Sequence, residues 1–179
     1  VVNDVIGASG GALTLGDVTA GASVNVNSGG DLSVNTVHAG TDVGLSSVGT
    51  LTAGDITADT GAVDVSGLVS VNVGNVSAGT DIGLDSAGNI TALDLTAGGT
   101  VVAAAGGDAD LGNVTSGGGQ DVVLGAGGNL TTGSVDSAGN IDLTAGGNVV
   151  TADLTAALAL TLSAGGDSSV NDVSATDAT

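Results

Sequence analysis

The chain of 179 residues contains no Lys, Arg, Glu, Pro, Cys, Met, Phe, Tyr or Trp. Each absence removes a class of protein. Without cysteine there is no disulfide framework and no thiol chemistry, and stability has to come from backbone pairing and aliphatic packing. With no basic residue, the formal charge of -19 comes wholly from Asp. Nothing is then available to neutralise phosphate, so nucleic acid and anionic membranes are poor partners. No apolar run approaches the roughly 18 residues of a spanning helix. There is neither a starting Met nor a charged leader region, so the sequence reads as a processed or excised segment. The missing aromatics leave no platform on which a sugar could stack, and no bulky side chain to fill a thick core.

What is present is orderly. Hydrophobic residues make up 41% of the chain and recur at regular intervals, which argues against disorder. With 34 Gly and many Ala, Ser and Thr, the core has to be thin and uniform.

An internal repeat supplies that core. One aliphatic column runs Leu13, Leu32, Leu51, Val71, Ile90, Ala109, Leu130, Val149 and Ser168, with successive steps of 19, 19, 20, 19, 19, 21, 19 and 19. A second column starts Val18, Val37 and Ile56 and keeps the same steps. On another arm, pairs two residues apart recur, such as Val24 with Val26, Val43 with Leu45 and Ile82 with Leu84, and such pairs signal strands. A small-residue column, Ala20, Ala39, Ala58 and their successors, also faces inward and reads as the tight corners. Gly30, Gly49, Gly88 and Gly107 share a turn column, where a positive φ or a close backbone approach would exclude a Cβ; Val69 is the exception. The two extra-long steps both place their added residues at one corner, around Asp59-Thr60-Gly61 and Ser116–Gln120. Helix loses throughout, because the apolar spacing is wrong and each Gly costs a helix about 1 kcal/mol.

The repeat predicts an all-β fold, a right-handed parallel β-helix (β-solenoid) of about nine coils of about 19 residues, its hand following the usual crossover preference. Residues 1–179 form one domain, with incomplete coils at about 1–11 and 167–179. Stacked about 4.8 Å apart, nine coils make a rod roughly 43 Å long. Each coil is expected to bury about four aliphatic side chains. Two outward columns carry most of the charge, Ser23, Asp42, Ala62, Asp81 and onward, and Asp17, Thr36, Asp55, Asn75, Asp94 and onward. Carboxylates there mostly alternate with neutral residues, which spaces like charges to about 10 Å, near the Debye length. Asp153 and Asp172 break the alternation in the second of these columns.

The segments SAGNIDLTAGGNVVTADLTA (137 to 156) and AGGNLTTGSVDSAGNIDLTAGG (126 to 147) resemble the haemagglutination repeats of filamentous haemagglutinin and related two-partner secretion adhesins. The resemblance covers the chain from about Gly11 to Ala175. It implies a right-handed parallel β-helix forming the shaft of an exported bacterial adhesin, extracellular or at the cell surface.

Chemistry finds little purchase in the sequence. Inverting glycoside hydrolysis needs a pair of carboxylates as acid and base. Asp is plentiful here but spread along ladders, with no aromatic or basic residue to hold a sugar, so no catalytic, cofactor-binding or metal-binding residue is assigned. His38 falls in the outward column with Thr19 and Thr57 and reads as a solvated side chain. Oxygen-rich turns at Gly79-Thr80-Asp81 and Gly119-Gln120-Asp121 suggest at most weak Ca2+ association, since no dedicated calcium-binding repeat occurs. Outward Thr14, Thr52, Thr91 and Thr131 raise an ice-binding surface as an alternative, interrupted by Asn and Asp. Asn75-Val76-Ser77, Asn89-Ile90-Thr91, Asn113-Val114-Thr115 and Asn129-Leu130-Thr131 match the glycosylation sequon. Val2-Asn3-Asp4-Val5 echoes Val170-Asn171-Asp172-Val173, which suggests equivalent coils at the two ends and end-to-end association into a filament. The expected role is a non-catalytic structural fibre or shaft.

Overall fold

The computed structural model describes residues 3–178. Its regular structure is entirely β, 24 strands joined by parallel pairing into a β-solenoid whose coils repeat every 19 to 21 residues. No helix occurs among the described residues, so none is long and apolar enough to cross a membrane.

Each coil has three faces. The first ladder begins with Leu13–Leu15, Leu32–Val34 and Thr50–Ala53; the second with Val18–Ala20, Val37–Ala39 and Ile56–Ala58; the third with Val5–Ser9, Val24–Ser28 and Val43–Ser47. Register follows the repeat: Leu13 pairs Leu32, Val18 pairs Val37 and Val37 pairs Ile56, and Val24 pairs Val43. The expected columns are therefore true ladders, and the side chains within each face the same way.

The core is wider than four side chains per coil. In the coil from Val24, the buried positions are Val24, Val26, Ser28, Leu32, Val34, Val37 and Ala39. The two-arm reading merged separate faces because a three-residue strand carries only two inward positions, too few for a period-two pattern to stand out. Seven inward positions explain how small residues suffice. Where one column thins, another thickens: Ala103, Ala105 and Ala109 share their coil with Leu111, and all are buried. The column of Ala20, Ala39 and Ala58 faces inward as expected, but it lies on the second-ladder strands and precedes the corner rather than forming it.

The two added insertions lie where the spacing puts them, between the second and third faces. Residues 59–62 and 117–121 connect Ile56–Ala58 to Val63–Gly67 and Val114–Ser116 to Val122–Ala126. The larger one turns through Gly118 (φ 60°) and Gly119 (φ 76°), the positive-φ glycines of the described chain. The turn-column glycines therefore serve close approach, not a left-handed backbone. A Cβ on Gly128, for example, would meet Asp108 Oδ1 of the coil below at 2.2 Å.

Beyond Val149 strand pairing continues through the corners: Val149–Ala164 pairs with all three faces of the coil below and with Ser168–Ala178 above. The echo between the two ends does not mark equivalent positions. Val5 pairs Val24 on the third ladder, whereas Val173 pairs Leu154 on the second. Val2 lies outside the described residues. A four-residue likeness is too short to hold a register when Asn, Asp and Val are this common.

Candidate functional site

Three corners and three outer faces are the surfaces on which any function has to be carried. The corners hold the carboxylates and amides. At the residue just before a strand, or at its first residue for Asn89, an Asp or Asn side-chain oxygen accepts the backbone N–H of the matching residue one coil further on. Asp42 accepts from Ala62 (3.0 Å), Asp81 from Thr100 (2.7 Å) and Asp121 from Asn140 (2.7 Å) at the corner before the third face. Asp55, Asp94 and Asn113 do the same before the second face, and Asp31, Asn89, Asp108, Asn129 and Asn148 before the first. The charge columns are thus not free outward rows. Their side chains clip one coil to the next, with a charge-assisted bond wherever the acceptor is Asp.

Alternation with Asn also gains a second reason. The Asn113, Asn129 and Asn140 side-chain amides donate to Asp94, Asp108 and Asp121 below them, at 3.2, 3.3 and 3.0 Å. A second Asp in that place would bring repulsion instead of a donor. This arrangement was missed in the sequence, although its signal was there: a Gly one residue short of a full coil after the Asx, as in Asp31 with Gly49 and Asp121 with Gly139.

The corner ladder also employs the sequon asparagines. Asn75, Asn113 and Asn129 donate their side-chain nitrogens to Asp55, Asp94 and Asp108, so the nitrogen a glycan would need is already hydrogen-bonded in the folded chain. Asn89 accepts the Asp108 N–H through its side-chain oxygen.

His38 projects outward with Thr19 and Thr57, as its column predicts, and is about half exposed. Its Nε2 lies 3.3 Å from Oδ2 of Asp59, a residue of the four-residue corner. The pair is half in water and contributes little to stability. Gly79-Thr80-Asp81 border one shallow hollow with Gly118 and Gln120, separated by the coil of Gly98 and Gly99, and Asp81 is its one carboxylate. No group of three or more His, Cys, Asp or Glu stands close enough to hold a metal ion among the described residues.

The outer faces differ. Thr14, Thr52, Thr91 and Thr131 are exposed on the first, and Thr19, Thr96, Thr115 and Thr155 on the second. The second face presents a single file, because a three-residue strand shows one residue outward, while on the first the four-residue strands such as Asn89–Ala92 add a second outward residue. The third face shows two residues per coil and bears an open trough of about 650 Å³ bordered by Asn25, Asp64, Asp85 and Val102, with Gly44 and Gly83 also lining it. At its side, Val48, Leu68 and Val69 stand out at one corner, 57 to 62% exposed.

Together the ladder and its corners define a parallel β-solenoid whose acidic and amide side chains hold coils together. No family model, no curated protein and no solved structure matches the chain.

Proposed function

We propose that this chain is a segment of a structural rod, a non-catalytic spacer or shaft exported to the bacterial cell surface or beyond it. The observation that carries the reading is the commitment of the corner Asp and Asn side chains to backbone N–H groups of the next coil. A carboxylate held in this way is an acceptor that stiffens the stack, and its partners are spaced along ladders rather than gathered round a reacting atom. The likeness of residues 126 to 156 to haemagglutination repeats supports an adhesin shaft in particular. The -19 charge with no basic residue supports a solvated, extracellular particle that keeps clear of nucleic acid and anionic lipid.

End-to-end association belongs to the same reading, since an open rung offers N–H and C=O groups to any further parallel rung. Any receptor is carried by another part of the assembly. Electron microscopy of the native particle tests the proposal: a rod is expected, advancing roughly 43 Å for each nine coils. A rounded particle, or release of reducing sugar from acidic polysaccharide that stops on replacing Asp64 and Asp85, would sink it. Sedimentation velocity over a dilution series tests the association; a monomer at every concentration counts against it.

A further inference from the structure

The corner bonds are not equally made, and glycine decides which are short. Where the residue preceding the receiving N–H is Gly, the bond to the Asx oxygen measures 2.7 to 3.0 Å in every case. Where that residue is Ala22, Leu93 or Leu158, it lengthens to 3.1, 3.3 and 3.1 Å. Over Asp17, where the residue is Asn35, the carboxylate accepts instead from the Asn35 side-chain amide and from the Thr36 hydroxyl, the latter at 2.8 Å. The cause is steric. A Cβ on Gly107 would come 2.1 Å from Asn89 Oδ1, so a side chain there has to push the acceptor aside. The exception in the glycine column fits: Val69 stands over Gly49, beside Thr50, which carries no Asx side-chain oxygen to displace.

Counted by coil boundary, the interlocks are uneven. Between the coil of Asp81, Asn89 and Asp94 and the coil after it, all three corners are made, at 2.7, 2.9 and 2.9 Å. One boundary lower, the coil contributes Ala62, Ser70 and Asn75. Ala62 has no side-chain acceptor, Ser70 donates its hydroxyl to Thr50 below rather than accepting from the coil above, and Asn75 makes the 3.3 Å bond beside Leu93. One boundary lower again, Asp42 and Asp55 hold Ala62 and Asn75 at 3.0 and 2.8 Å.

We propose that paired Asx and Gly corners set how tightly each coil grips the next, and that the boundary between the Ala62–Asn75 coil and the Asp81–Asp94 coil is a built-in point of yielding inside the rod. Backbone ladders cross this boundary unbroken, so it is a soft joint and not a gap. Local opening there breaks no fewer ladder pairings than at the boundaries on either side, but fewer corner bonds.

Residue-resolved hydrogen exchange on the full chain reads this directly. The Val63 and Val76 N–H groups bond across the joint to Asp81 and Asp94, both at 2.9 Å. Val43 and Ile56 bond across the boundary below, and Ile82 and Leu95 across the one above, all from equally buried residues. Val63 and Val76 are expected to exchange about tenfold faster than both neighbouring pairs, as losing about one net hydrogen bond implies. Rates that are equal, or that change steadily from one end of the rod to the other, overturn the proposal. A second arm supplies the missing interlock: Ala62→Asn with Thr80→Gly should slow exchange at Val63 about tenfold. A folded double variant whose Val63 rate is unchanged overturns it as well.

Discussion

At the scale of the residue, two side-chain types share the structural labour. Aliphatic residues fill a core one coil thick, and Leu130, with no measurable exposure, is a representative. It stacks between Ala109 and Val149, so cutting it to Ala enlarges a gap that Ala109 cannot fill. Leu130→Ala should lower unfolding free energy by about 2–5 kcal/mol, seen as a lower denaturant midpoint. The outward Thr96→Val, on the second face, should change it by less than about 0.5 kcal/mol. Polar residues at the corners do the other share. Ser28 and Ser47, buried at the end of third-face strands, turn their hydroxyls onto the Gly11 and Gly30 carbonyls at 2.7 and 2.8 Å, and among the described residues no buried side-chain polar atom lacks a partner.

At the scale of the element, face strands and corners tolerate change differently. A strand residue added or lost moves every later side chain on that strand to the opposite surface. A corner can absorb residues, as the five-residue connection at 117–121 does beside three-residue connections such as 98–100. Deleting Gly118 and Gly119 together should leave the circular dichroism spectrum and midpoint nearly unchanged. Inserting one Ser between Leu124 and Gly125 should abolish cooperative unfolding of the adjoining coils, because it turns buried Ala126 outward. Both outcomes are read by thermal melts. The alternation inside a strand was legible in the sequence at five-residue strands such as Val24–Ser28, which hold three inward positions. It was not legible at Leu13–Leu15, where two leave no pattern to count. For the same reason the third face was hidden inside an apparent pair of arms.

At the scale of the whole molecule, the balance is between aliphatic stacking and the self-repulsion of 19 carboxylates with no basic residue. Winding the chain into a rod brings those charges closer than in the unfolded chain, so screening favours the folded form. The melting temperature should therefore rise when NaCl is increased from about 10 mM to about 0.5 M. A fall would mean that the charges are better separated folded than unfolded. Stability should also grow with the number of coils, since each coil contacts only its neighbours.

The sequence by itself determined the period, the strand ladders, the outward place of His38 and the corner that takes insertions. All of these depend on which residues recur at one coil's spacing, and a periodic chain states that openly. Only the tertiary structure decided that there are three faces, that the corner Asp and Asn act as acceptors across coils, and why glycine sits where it does. Those depend on which atoms of successive coils meet at a turn, a distance set by backbone closure and not by the identity of any single residue.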